Sequence, residues 1–279
     1  TGVQTCALPI CEGELEEKAS RWVIKRQASQ ADRATEENKR RFMAVYYSMI
    51  SWVDEQIGRV FDALEELGLR ENTIVVFTSD HGEFCFEHGM VKKDLVLPES
   101  LLHIPLLVSW PGTLQPRVIE STMVEQVDVM PTLLDLAGAR VPFGVQGRSM
   151  APLLRGETDR HKDAVHAEIC PPWHHNPYAS FEEFVNDWNA RHDTHFPFNI
   201  PGEFNKAIRT DRYRYIWYAG GEEELYDLET DPLEQHNVAG RPEYGETKTG
   251  LKLRLLEWNA HTEDPLTAKT IRILHEEYP

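Results

Sequence analysis

The chain has 279 residues, enough for one large α/β domain or a core plus a smaller appendage, and with 41% hydrophobic and 27% charged residues it is expected to be well cored, which excludes a disordered chain. With 29 Lys and Arg against 46 Asp and Glu, its formal charge of −17 argues against nucleic acid or an anionic membrane surface as a partner, because the long-range field repels both. A small anionic substrate is still allowed, since local cations and a metal outweigh a distant field inside a pocket.

Residues 1–10 (TGVQTCALPI) lack an initiating Met, the basic start of a signal peptide and its long apolar stretch. They resemble translated sequencing-adapter read-through, an artefact set aside from the fold, so the start of the protein is expected to be missing and its compartment is not read. Residues 11–39 are highly charged and are expected to form a solvated lead-in. From Phe42 the pattern tightens: Phe42, Val45, Met49, Val53, Ile57, Val60 and Leu64 recur at three- and four-residue steps, one apolar face of a long helix ended by Gly68. Residues 73–78 (TIVVFT) and 104–110 (IPLLVSW) read as strands apolar on both faces, as buried parallel strands are. Residues 124–127 read as a further short strand, and Asp128 as the N-cap of a helix over 129–137 with Gly138 at its end. After residue 155 the texture changes to short strands and turns: a strand over 165–169, a helix near 181–189, a hairpin over 208–218, a strand over 224–228 and a last amphipathic helix over 248–259. The expected organisation is an α/β core over 11–155 and a smaller α+β subdomain over 156–279. No apolar run approaches the ~18–20 residues of a membrane span.

Chemistry concentrates after the first strand, in Phe77-Thr78-Ser79-Asp80-His81-Gly82-Glu83. Ligands in open α/β sheets bind at the carboxyl ends of strands, where Asp80 and His81 fall. Asp offers a hard anionic oxygen and His a neutral nitrogen, and the two together can ligate one divalent cation. On their own they serve equally as turn formers. Glu87-His88-Gly89-Met90-Val91-Lys92-Lys93 follows, and a lysine ammonium beside a metal suits a tetrahedral oxyanion. The bland alternative for Lys92 and Lys93 is a solvated pair, and His88 either meets the anion or only holds the loop.

In combination, VVFTSDHGEFCFEHGMVKK followed by IPLLVSWPG resembles the sulfatase family of the alkaline-phosphatase-like superfamily. The resemblance continues through VDVMPTLLDLAG, QGRS, LLRG, AIRTDRYRYI and ELYDL with Asp231-Pro232, and so covers about residues 42–260. It implies a mostly parallel sheet flanked by helices, present here in part, with a C-terminal α+β subdomain. It implies Asp80 and His81 as metal ligands and Lys93, thirteen residues beyond Asp80, as the sulfate-binding lysine, with Lys92 the competing choice. Ca²⁺ is the family default, and the nitrogen of His81 tilts the balance toward Mn²⁺. The implied reaction is hydrolysis of a small-molecule or saccharide sulfate ester.

The sequence also departs from the family. The Cys/Ser-x-Pro-x-Arg motif that yields the formylglycine nucleophile is absent, and Cys170-Pro171-Pro172-Trp173-His174, the nearest imitation, carries His for Arg and lies in the wrong half. The family's N-terminal metal-binding aspartates and an upstream histidine–lysine pair are absent too. A chain truncated at its N-terminal side accounts for all these absences, and by itself is expected to be inactive. Two rivals stand beside sulfate ester hydrolysis: phosphonate monoester or phosphodiester hydrolysis in the same superfamily, and a non-catalytic metal-binding relative. His174, His175, His192 and His195, with Trp173, Tyr178 and Trp188, are candidates for a substrate-pocket lining or for plain polar loops.

Overall fold

A long helix with a capped start sets the first half of the structure. The computed structural model describes residues 14–93, 95–120, 122–169, 205–218 and 220–262, together with 183, 186 and 190. Two short helices, α1 (Glu14–Glu17) and α2 (Ser20–Ser29), precede α3 (Glu36–Glu66). Thr35 caps α3 in a capping box with Asn38, which starts the helix six residues before Phe42. At the other end Gly68 takes a φ of 66°, and Gly68 and Leu69 donate their N–H groups back to Glu65 and Leu64.

Strand β1 (Val75–Thr78) follows, then α4 (Glu99–Leu102) and β2 (Leu106–Ser109). The parallel pairing expected of β1 and β2 is corrected by the structure. They pair antiparallel, Val75 opposite Ser109 and Thr78 opposite Leu106, as a two-stranded sheet. Nor are they buried on both faces: Phe77 is 41% and Leu107 58% exposed. The apolar face of α3 is present but uncovered in the same way, and no residue of that helix is buried among the described ones.

The expected strand over 124–127 is a 3₁₀ turn over Gln126–Asp128 instead. Its cause is local, because the Glu125 N–H donates to the Asp128 carboxylate at 3.0 Å and curls the chain before a ladder can form. Helix α5 (Val129–Leu136) starts where expected, yet the Asp128 side chain does not cap it. That carboxylate instead accepts from the Arg148 N–H at 2.8 Å and from Lys162 at 2.7 Å, and lies 3.0 Å from His161. Lys162 also reaches Glu125, whose other oxygen accepts from the His166 N–H. These ion pairs and hydrogen bonds clasp the start of α5 to the edge of the second sheet.

After α6 (Ala151–Leu154), strands β3 (Ala164–Ile169), β4 (Asn205–Thr210), β5 (Tyr213–Tyr218) and β6 (Glu223–Asp227) form an antiparallel sheet in the order β3-β4-β5-β6. The hairpin expected over 208–218 is β4–β5, turning at Asp211 and Arg212. The strand period of two divides this sheet's side chains between two cores. Ile208, Tyr215 and Leu225 face Leu251 and Leu255 of α7 (Gly245–Thr262). Ala207, Ile216, Tyr218 and Tyr226 face the other way, onto Ala19, Trp22, Phe84, Met90, Val96, Leu97 and Leu101.

That second core corrects the reading of residues 11–39 as solvated. Trp22 is fully buried, and Arg21, Ile24 and Lys25 pack inward around it. The Ala19 and Ser20 N–H groups at the start of α2 donate to Glu224 and Glu222 at 2.7 and 2.8 Å, so two carboxylates from the edge strand and its turn complement the positive end of that helix. Charge hid the burial, because each inward charge has a partner here. Lys18 bonds the Tyr226 hydroxyl at 3.1 Å and lies over the Trp22 ring, and Arg21 lies over Tyr218. Among the described residues no helix is long and apolar enough to cross a membrane. Of the helix expected near 181–189, residues 183 and 186 are described and are helical; the rest lies outside the described residues, as do Cys6, Cys11, Cys170, Trp173, Tyr178, Trp188, His174, His175, His192 and His195.

Both buried networks can be probed by unfolding. Arg214, 1% exposed on β5, bridges Glu99 of α4 and Glu234 and donates to the Leu97 carbonyl at 3.1 Å. Arg214→Met leaves Glu234 buried without this partner and is expected to cost about 3–5 kcal/mol, read from urea unfolding. The clasp gives an acid limb. Burial opposes the charge on Glu125, but His166 and Lys162 outweigh it and bring its carboxyl from the ordinary 4.5 down to about 2. Burial holds His161 below its ordinary 6.5 despite the Asp128 bond. In both cases the unfolded chain binds the proton first, so stability is present above those ordinary values and is lost as pH falls through them toward the folded ones. Urea midpoints should drop from pH 7 to pH 3, and Glu125→Gln should flatten the part below 4.5.

Candidate active site

The end of β1 turns sharply, and its geometry follows from four backbone constraints. Ser79 Oγ donates to the His81 carbonyl at 2.9 Å, and Gln126 donates to the Ser79 carbonyl at 2.6 Å. The His81 N–H reaches the Asp80 carboxylate at 3.0 Å. The Gly82 N–H donates to the Leu101 carbonyl at 2.9 Å, which brings the backbone so close to α4 that a Cβ at Gly82 would collide with the Ser100 carbonyl oxygen. Glycine is therefore required at position 82 for space.

Asp80 and His81 stand together past the carboxyl end of β1 with the Asp80 side chain 82% exposed, and Asp80 Oδ2 lies 3.3 Å from His81 Nε2. His81 Nδ1 sits 2.7 Å from the Gly82 carbonyl and donates to it, which leaves the Nε2 lone pair free to accept. Lys93 meets that nitrogen through its ammonium. Three sequence-selected residues are thus brought to one point, and two of them direct electron-rich atoms at a cation. Partial desolvation works against the charge on Asp80, but the bond from the His81 N–H and the nearby Lys93 ammonium outweigh it, so the carboxyl is held below its ordinary range. Asp80 is ionised at neutral pH.

Lys92 takes a φ of 65° and is held through its N–H by Glu83, whereas Lys93 is the one that reaches His81. His88 is buried, bonds Glu14 through Nδ1, and packs edge-on against Trp22 with ring centroids 5.0 Å apart. Its place is in the loop's anchor, not beside Asp80. The Cys85 thiol, raised to about 11 by burial and by Glu83, is protonated at neutral pH and makes a poor nucleophile. Sequence reasoning passes over Glu14, Trp22 and Lys25, which hold this loop from α1 and α2. The available signal is that Arg21, Trp22 and Lys25 share one side of a ten-residue helix.

Asp80 and His81 have the donor types of a divalent-metal site, one oxygen and one nitrogen. Among the described residues no group of three or more His, Cys, Asp or Glu side chains converges to complete it. Two donors suit part of a coordination shell, with the remaining positions filled by water or other groups.

Past the end of β1, an ionised carboxylate and an imidazole face a lysine on an α/β scaffold. Residues 19–139 match the sulfatase family profile, and residues 86–261 match that of the N-sulphoglucosamine sulphohydrolase C-terminal region. The chain belongs to the sulfatase family, with its alkaline-phosphatase-like fold. It is 32% identical over 222 residues to a Delta 4,5-hexuronate-2-O-sulfatase of Bacteroides thetaiotaomicron, covering 78% of this chain and 41% of that protein. It is 33% identical over 210 residues to arylsulfatase K of Homo sapiens, covering 74% of this chain and 35% of that protein. The chain therefore spans well under half the length of these relatives. Among solved structures, one in complex with its substrate D-glucosamine-2-N,6-O-disulfate aligns with a TM-score of 0.66 at 28% identity, covering 82% of this chain and 42% of that one. The phosphonate monoester hydrolase of Agrobacterium radiobacter aligns with a TM-score of 0.66 at 30% identity, covering 82% and 43%.

The packing at Gly82 gives a direct test of the local geometry. Gly82→Ala forces β1 and α4 apart and is expected to cost about 1–3 kcal/mol, measured by urea unfolding. The His81 ring resonances should shift in the same variant. A fully stable variant with an unmoved His81 ring would refute the contact.

Proposed function

We propose that the whole protein to which this chain belongs hydrolyses a sulfate ester on a saccharide, with Asp80 and His81 as metal ligands and Lys93 as the cation that holds the sulfuryl oxygens. The observation that carries this reading is the meeting of Lys93 with His81 Nε2 beside the Asp80 carboxylate, past the end of β1. Sulfated saccharides are favoured as substrates by the sugar sulfatases among the relatives and by the neighbour solved with a glucosamine disulfate. A bound divalent metal would neutralise charge on the sulfate oxygens and act as a Lewis acid, and Ca²⁺ or, with His81 as a nitrogen ligand, Mn²⁺ suits the two donors. Lys93 adds a point charge that follows the oxyanion as charge builds on it, and Asp80, ionised at neutral pH, keeps the ammonium and any metal in place.

The nucleophile, a formylglycine in this reading, belongs to a Cys/Ser-x-Pro-x-Arg motif that the 279 residues do not contain. The same reading places the α/β core part at 11–155 and the C-terminal subdomain at 156–279. Phosphonate monoester hydrolysis is the second reading, favoured by the Agrobacterium radiobacter neighbour at an equal TM-score of 0.66.

The test uses the full-length protein made with a formylglycine-generating enzyme, assayed on an aryl sulfate and an aryl phosphonate monoester. Asp80→Ala and Lys93→Met are each expected to lower kcat/KM by roughly 10²–10³-fold. Calorimetry should show weakened divalent-metal binding for Asp80→Ala and not for Lys93→Met. Asp80→Ala with unaltered metal affinity would remove it from the ligand set, and faster phosphonate than sulfate turnover would favour the second reading.

A further inference from the structure

Residues 83–93 and Leu95 hold the backbone in an unusual state. Cys85, Phe86, His88, Lys92 and Leu95 all take positive φ, between 49° and 73°, and none is glycine. Each such residue is individually unfavourable, so a loop with five of them keeps this shape only where its surroundings over-determine it. Within the loop, the Phe84 N–H reaches the Lys92 carbonyl at 3.2 Å and the Phe86 N–H the Met90 carbonyl at 2.7 Å. Phe42 of α3 packs edge-on against Phe86 with ring centroids 5.2 Å apart, and Asn205 of β4 donates to the Leu95 carbonyl at 2.7 Å. Further anchors come from α1 and α2, more than fifty residues earlier in the chain. Glu14 bonds His88, Trp22 packs against Phe84 and His88, and the Lys25 ammonium donates to the backbone carbonyl of Lys93 itself. Lys25 is 6% exposed, so its bond is made largely out of water, where a charged donor is strongest.

We infer that Lys25 is a positioning residue: it fixes the backbone of Lys93 so that the Lys93 ammonium is presented beside Asp80 and His81. This deepens the proposed function and rests on its reading of Lys93 as the anion-binding cation. Trp22 and Glu14 hold the middle of the loop, and Lys25 holds its end. Lys92 is still held by Glu83 and by the Phe84 N–H, but without that last bond the Lys93 carbonyl is released, and the ammonium samples positions away from His81.

The 279-residue chain serves for the test, with hydrogen exchange on the peptide spanning 83–93 and inorganic sulfate titrated against the His81 ring resonances. Lys25→Met keeps the aliphatic stem and removes the donor. It is expected to speed exchange in 83–93 about tenfold and to weaken sulfate binding about tenfold, with β5 and β6 exchange unchanged. Lys25→Arg should restore both. Unchanged exchange in 83–93 overturns the inference. So does faster exchange with parental sulfate affinity, because the bond would then serve stability alone. Should Lys25→Met unfold, Lys25→Gln, which keeps a polar but shorter side chain, takes its place, and the same two readouts support or overturn the inference in the same way. Lys93→Met separates the two levels: if it leaves sulfate binding intact, the anion-binding role of Lys93 falls, and the exchange result alone decides whether Lys25 holds the loop.

Discussion

Arg214 is the hinge-pin between the two halves of the described structure. Its guanidinium, 1% exposed, reaches from the middle of the antiparallel sheet to Glu99 and to the Leu97 carbonyl. Glu99 opens α4, the Leu101 carbonyl of α4 receives the Gly82 N–H, and Gly82 adjoins His81. The order of Asp80 and His81 thus descends through a relay of short contacts from a strand more than a hundred residues away in sequence. A buried cation of this kind is costly to desolvate and is retained here with two carboxylates and a carbonyl around it. It yields a fixed orientation between the site loop and the sheet, which a purely apolar contact would specify less sharply.

The electrostatics work on two scales. The chain as a whole carries −17, yet the site gathers Lys93 at His81, with Lys92 next to it. At the few-ångström distances of a bound anion the nearby ammonium dominates, while distant carboxylates are attenuated by water and salt. A negative net charge is therefore no bar to the proposed anionic ester, provided the local donors are rigid. The contacts that α1, α2 and α3 make with residues 83–93 contribute that rigidity.

Much of this is legible in the sequence. The three- and four-residue apolar steps of α3, the turn at Asp211 and Arg212, and the strand that ends before Asp80 are local patterns, and local patterns survive in a single chain. The strand pairing is not legible, because apolar runs such as those around Val76 and Leu107 fit a parallel or an antiparallel neighbour equally well. The lead-in misleads for a different reason. Arg21 and Lys25 look like solvent residues until Tyr218 and the Lys93 carbonyl are placed beside them, and those partners lie some seventy to two hundred residues away. Asp128 shows the same limit: its position at the start of α5 is written locally, but its partners Arg148, His161 and Lys162 are not. That Asp80, His81 and Lys93 meet is legible because their spacing is itself a motif.

The uncovered face of α3 and the open two-stranded sheet bear on how this chain behaves in solution. Val45, Met49, Val53 and Val60 of the helix are exposed, and β1 and β2 pair only with each other among the described residues. Such surfaces attract further strands and apolar partners, including other copies. What opposes that attraction is the mutual repulsion of molecules that each carry −17. Colloidal behaviour is then governed by ionic strength: dilute buffer keeps copies apart, and added salt, by shortening the reach of that repulsion, lets the sticky faces meet.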